Sequence, residues 1–161
     1  MVYIYFNYQS KDTQTGVQIA RTILKQLISG VEIPEELESL YQKSTQETTN
    51  PGMKELMSLL QSCSRRFSSR YAVFDALDEC SDTHKEEILD LFVNLQKFGY
   101  KLLISGRPPL DAGCFSNVST IEIRATDHDI ETYIMKKLEE RDVRPKVKTG
   151  CLELVKGVGG M

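Results

Sequence analysis

Hydrophobic residues follow two different spacings along the chain. Residues 2–8 form a β-branched and aromatic run (VYIYFNY) that predicts a strand. Two more apolar runs, at residues 71–74 and 100–104, predict a second and a third strand. Residues 118–123 alternate in part between apolar and polar side chains, which predicts a fourth.

Between these runs, apolar residues recur every three or four positions, as they do along one face of a helix. The first helix is predicted to begin near Asp12 or Thr13, and a short one after Pro34. Residues 44–50 are polar and predict a loop. A third helix is predicted to follow this loop and to begin at Asn50 and Pro51. Three more helices are predicted from two capping boxes and a final apolar repeat: Thr83 with Glu86, Thr126 with Asp129, and residues 147–155.

Strands that alternate with helices predict a mostly parallel sheet with helices on both faces. We therefore expect an α/β fold, a three-layer α/β/α sandwich, formed as one domain by the 161 residues. No linker or internal repeat divides the chain.

The amino-acid composition argues against several classes of function. The net charge of −3 gives no basic excess for nucleic acid, and no apolar run has the length of a membrane span. The four cysteines form no CxxC pair, so neither a zinc nor a redox spacing is present. We expect a cytoplasmic protein that binds neither nucleic acid nor membrane.

Three carboxylates lie where the second strand ends. Asp75 closes the apolar run, and Asp78 and Glu79 follow it. A hard divalent cation with oxygen ligands would relieve their mutual repulsion. The alternative is that Asp75 accepts hydrogen bonds from the backbone of the turn while the other two are solvated.

Ser105 and Arg107 follow the third strand at the same predicted edge of the sheet. Arg107 is either an ordinary solvated loop residue or a planar, permanently charged partner for phosphate. Carboxylates for a metal ion and an arginine for a phosphate, at adjacent strand ends, suit nucleoside triphosphate chemistry.

Several segments resemble NACHT-type STAND nucleotide triphosphatases, a class of P-loop signalling switch. The run closing in DALDE at 75–79 resembles their extended Walker B motif, and LISGRP at 103–108 resembles their sensor segment, although Gly106 replaces the usual Ser or Thr. The opening strand and helix, the stretch TIEIRATDHDIETYI and the final KGVGGM are also similar to the family. The resemblance is nearest to nephrocystin-like NACHT domains of large repeat-bearing proteins.

The resemblance implies a role for each site residue. Asp75 would hold a nucleotide-bound Mg²⁺, Asp78 or Glu79 would act on the attacking water, and Arg107, with Ser105, would contact the nucleotide. Such domains exchange ADP for ATP, open and oligomerise. Attached ankyrin, WD40 or TPR repeats would supply the protein partners.

No GxxxxGK[ST] phosphate loop is present. In the resembled family this loop precedes the strand that opens this chain. We therefore expect a partial domain that lacks an inner strand between residues 100–104 and 118–123 and binds ATP with Mg²⁺ tightly only when complete.

Whether the chain is an enzyme stays open. One alternative is a scaffold fragment that binds protein partners and has lost nucleotide chemistry. A weaker one is a metal-dependent phosphohydrolase, which needs further ligands, while the only histidines are His84 and His128.

Overall fold

The computed structural model describes residues 1–108, 113–141 and 150. The chain divides into two units at Val118. The described elements of the first unit are β1 (Val2–Tyr5), α1 (Gly16–Ile28), α2 (Glu35–Glu47), α3 (Met53–Ser64), β2 (Arg70–Asp75), α4 (Asp82–Lys97) and β3 (Tyr100–Ile104), with single 3₁₀ turns at Tyr8–Ser10 and Leu77–Glu79. The described element of the second is α5 (Asp127–Glu140). No described helix is long and apolar enough to cross a membrane.

The three strands form a parallel sheet in the order β1-β2-β3. Val2 pairs with Ala72, and Ala72 pairs with Leu102 on the other side. Helices connect the strands, as parallel pairing requires. The predictions of a mixed α/β class and of a parallel sheet whose strands alternate with helices are confirmed.

One face of the sheet forms the core of the first unit. Helices α1 and α4 pack on it, and α3 packs against α1 in the same core. The strand residues that point inward are Val2, Ile4, Ala72, Phe74 and Tyr100. The rings of Phe74 and Phe92 lie 3.8 Å apart between centroids, and both side chains are fully buried. Burial of this face supplies the main driving force for folding.

The described residues of the first unit leave the opposite face of the sheet uncovered. Tyr3, Tyr5 and Leu103 are each more than 60 % exposed, and Tyr71 is 45 % exposed. The prediction of helices on both faces is therefore wrong for the described part of the chain. The prediction failed because the outward positions other than Lys101 and the last residue of β2 are also apolar or aromatic, so the strands resemble the continuous apolar strands of a doubly covered sheet.

Two glutamine side chains close the free edge of β1. The Gln26 amide accepts from Tyr3 N–H at 2.9 Å and donates to Tyr3 O at 2.7 Å. Gln14 likewise donates to Tyr5 O at 2.9 Å and accepts from Asn7 N–H at 3.0 Å. The two amides therefore bind backbone N–H and C=O groups that a neighbouring strand would otherwise pair with. At these positions the edge of β1 is not left unpaired.

The fourth predicted strand does not form. Residues 118–123 have no strand pairing, and Ile121 and Ile123 are almost fully exposed. The alternating pattern gives a strand only where a neighbouring edge pairs with it, because a lone strand buries too little surface.

Several helix boundaries also differ from prediction. Thr15 caps α1, Gly52 precedes α3, and α2 continues through Glu47 into the predicted loop. Ser81, not Thr83, precedes α4. The box formed by Thr126 and Asp129 is confirmed at α5; the predicted helix at 147–155, except Gly150, lies outside the described residues.

Replacing the buried ring of Phe92 with a methyl group should destabilise the first unit. Phe92→Ala removes the contact with Phe74 and leaves a cavity, for an expected loss of about 3–5 kcal/mol in the free energy of unfolding. Urea unfolding followed by circular dichroism measures it. Phe92→Leu should lose less, and equal losses for the two variants would contradict the packing described.

Candidate functional site at the carboxyl edge of the sheet

The carboxyl ends of β2 and β3 meet at one edge of the sheet. Phe74 pairs with Ile104, and Ser105 N–H donates to Phe74 O at 2.9 Å. The register therefore places Asp75 and Ser105 side by side. This confirms that the two polar segments lie at adjacent strand ends.

Ser105 joins the two segments through both its backbone and its side chain. Its carbonyl accepts from Leu77 N–H at 2.9 Å, and its hydroxyl oxygen accepts from Ala76 N–H at 3.1 Å. The same hydroxyl donates to Asp75 Oδ1. Ser105 thus holds Asp75 and the turn after it, a structural role in addition to the one expected from sequence.

The chain turns sharply after Asp75. Ala76 has φ 58° and ψ 47°, the left-handed region that costs a non-glycine residue roughly 1–2 kcal/mol. The next residue, Leu77, is buried and starts the 3₁₀ turn Leu77–Glu79. Burial of Leu77 and the bonds to Ser105 offset the cost, so Asp78 and Glu79 leave the turn from a fixed backbone.

Arg107 occupies both oxygens of the Asp78 carboxylate. Its backbone N–H donates to Oδ1 at 3.0 Å, and its Nε donates to Oδ2 at 2.5 Å. This hydrogen-bonded guanidinium lowers the pKa of Asp78 below its usual value. The structure therefore brings two predicted site residues into direct contact.

Glu79 bonds to the loop that follows β1. Its Oε2 accepts from Tyr8 N–H at 3.0 Å, so the acidic turn contacts both neighbouring strand ends. Sequence reasoning missed Tyr8 because a backbone N–H contributes the contact, and any residue other than proline could provide it.

The N-terminus of α1 already holds an anion. Gly16 N–H donates to Glu87 Oε2 at 3.1 Å, and a Cβ on Gly16 would lie 2.7 Å from Glu87 Cγ. Glycine therefore allows the α4 carboxylate to approach the positive end of α1. A helix N-terminus can bind a phosphate, but at α1 the Glu87 carboxylate already takes that place.

The three carboxylates do not converge on one point. Asp75 bonds to Ser105, Asp78 to Arg107 and Glu79 to Tyr8. Within residues 1–108 and 113–141, no group of three His, Cys, Asp or Glu side chains could hold a metal ion. Any metal would therefore have to take most of its ligands from water and substrate, an arrangement typical of Mg²⁺ bound to phosphates.

Three side chains keep unused bonding capacity among the described residues. Asp75 Oδ2 and Glu79 Oε1 have no partner there, and neither do the two Nη groups of Arg107. Two carboxylate oxygens and four N–H donors thus remain at this edge. The donor set fits a metal ion at Asp75 and an anion at Arg107.

A family model matches most of the chain. The family model described as nephrocystin 3, N-terminal matches residues 1–107. The matched segment contains β1 to β3 and runs through Arg107. No curated protein and no solved structure matches the chain.

Removing the Ser105 hydroxyl should destabilise the turn. Ser105→Ala leaves Ala76 N–H and Asp75 without that partner, and water can replace it at this exposed edge, so we expect a loss of about 0.5–1.5 kcal/mol. Urea unfolding measures it. Ser116→Ala is the control, since that hydroxyl has no partner among the described residues; similar losses in both variants would contradict the role of Ser105.

Removing Arg107 should raise the pKa of Asp78. The pKa of the folded state lies below that of the unfolded chain, so the ion pair stabilises the fold above the unfolded pKa. This contribution disappears as the pH falls through the folded value. A carbon-detected NMR titration of the Asp78 carboxyl in wild type, Arg107→Ala and the control Lys25→Ala measures it. An unchanged pKa in Arg107→Ala would contradict the pairing.

Proposed function

Because the chain belongs to the nephrocystin 3, N-terminal family, we propose that it is the metal- and γ-phosphate-binding part of a NACHT/STAND-type P-loop switch domain. The main support is the placement of Asp75 and Arg107 after neighbouring parallel strands. Open parallel sheets bind their ligands beyond this edge. An acid and a fixed cation at this edge suit a Mg²⁺–polyphosphate.

Each residue has a role in this proposal. Asp75 would bind the Mg²⁺ of the nucleotide through Oδ2, directly or through water, while Ser105 fixes its other oxygen. A metal ion held at Asp75 would supply positive charge against the phosphates. Glu79 or Asp78 would orient the attacking water, and Arg107 would contact the terminal phosphate through its Nη groups.

Affinity for ATP should be low in this chain alone. The sequence contains no GxxxxGK[ST] segment, whose backbone N–H groups and lysine cradle the phosphates in P-loop proteins. The helix terminus of α1 cannot replace it, because Glu87 occupies that position. The proposed switch therefore depends on the complete domain, with ADP and ATP states, homo-oligomerisation and partners bound through attached repeats.

A second candidate is a protein-interaction module. The uncovered face of the sheet presents Tyr3, Tyr5, Tyr71 and Leu103, a contiguous apolar and aromatic surface. Such surfaces mark interaction sites more often than isolated exposed apolar residues do. In this candidate the charged edge would have no ligand, and a nucleotide would leave its resonances unchanged.

Removing the charge of Asp75 should weaken binding of Mg²⁺–ATP. We expect resonances of residues 75, 79, 105 and 107 to shift saturably with Mg²⁺–ATP, with affinity falling roughly tenfold in Asp75→Asn. Titration of the ¹⁵N-labelled chain, with and without Mg²⁺, measures both. Glu38→Gln, which removes an exposed acid of α2, is the matched control.

Two results would contradict the proposal. One is the absence of any saturable shift at this edge at millimolar Mg²⁺–ATP. The other is a shift of equal affinity in Asp75→Asn and Glu38→Gln, since the metal would then not contact Asp75.

A further inference from the structure

We propose that Asp78 is a positioning residue for Arg107: it holds the guanidinium through Nε so that the two Nη groups are free to bind a polyphosphate. The inference rests on the proposed function and changes one of its assignments, because Asp78 then acts through Arg107 and not on the attacking water. The geometry of the pair supports it.

The two members of the pair differ in how firmly the fold holds them. The Asp78 side chain is 18 % exposed and leaves a turn fixed by buried Leu77 and by the bonds of Ser105. The Arg107 side chain is 80 % exposed and, apart from Asp78, has no hydrogen-bond partner among the described residues. Asp78 is therefore the fixed member and Arg107 the one that is oriented.

The way they bond sets the direction of the guanidinium. Asp78 accepts from the backbone N–H and from Nε of the same residue, so the start and the far part of the Arg107 side chain are both held. Of the five N–H donors of a guanidinium, the four on the Nη atoms remain. Two of them, one from each Nη, match the spacing of two phosphate oxygens.

The possible roles of Asp78 predict different changes in anion affinity when its charge is removed. A carboxylate beside a polyphosphate repels it, so removing that charge should strengthen anion binding. A water-orienting acid predicts the same increase, or no change. If Asp78 orients Arg107, its removal frees a long flexible side chain, and binding has to order that side chain again. Only this role predicts weaker binding.

The test uses inorganic pyrophosphate without divalent metal, so that the metal role of Asp75 does not enter. NMR titration of the full chain compares wild type, Asp78→Asn, Arg107→Ala and the double variant. We expect each single variant to bind at least about threefold more weakly, and the double variant to bind no more weakly than Arg107→Ala. Asp82→Asn, which removes an exposed acid of the next turn, is the control and should bind as well as wild type or better.

A measurement without ligand tests the pairing itself. The Nε–H signal of Arg107 should be resolved and should exchange slowly with water in wild type, and should exchange fast in Asp78→Asn. Fast exchange in the wild type would overturn the inference, because the guanidinium would then not be held.

The outcomes separate this inference from the proposed function. No saturable pyrophosphate response in wild type overturns both. A wild-type response that Asp78→Asn leaves unchanged or strengthens, as Asp82→Asn does, overturns the positioning role alone. Weaker binding in Asp78→Asn, together with loss of the slow Nε–H signal, supports it.

Discussion

The candidate site depends on the register between β2 and β3. Pairing of Phe74 with Ile104 brings Asp75 beside Ser105, and all four hydrogen bonds of Ser105 follow from that alignment. Side chains alternate between the faces of a strand, so a slip of one residue would also exchange the buried and exposed faces of β3. The burial that fixes the core of the first unit therefore also fixes the geometry of its charged edge.

The three carboxylates at this edge each have a separate hydrogen-bond donor. Each acid of the turn has its own donor: a hydroxyl for Asp75, an arginine for Asp78 and a backbone N–H for Glu79. This arrangement limits the repulsion that three nearby carboxylates would otherwise cause. It also gives the acids different chemistry, since among the described residues Asp78 has a partner on both carboxylate oxygens, while Asp75 and Glu79 each keep one oxygen without a partner.

Much of this edge could be predicted from sequence because it depends on strand order. Apolar runs that end in Asp75 and Ser105, separated by a helix, place both residues at one edge of any parallel sheet. The bonds of Tyr8 N–H to Glu79 and of Gln26 to β1 could not be predicted, because they use backbone groups or common exposed amides without a spacing rule. The open face was missed because Tyr3, Tyr71 and Leu103 are as apolar as core residues. Residues 118–123 have a strand pattern, but a pattern cannot supply the neighbouring strand that pairing needs.

The site combines a firmly held backbone with an exposed, hydrogen-bonded ion pair. Ser105, Ala76 and Leu77 fix the turn through main-chain hydrogen bonds, the Ser105 hydroxyl and the burial of the Leu77 side chain. The Asp78–Arg107 pair, by contrast, is exposed on the arginine side, and ion pairs exposed to solvent contribute little to the stability of a fold. A rigid turn with an exposed, directed cation is suited to recognising an anion, because the cost of ordering its parts is met when the chain folds.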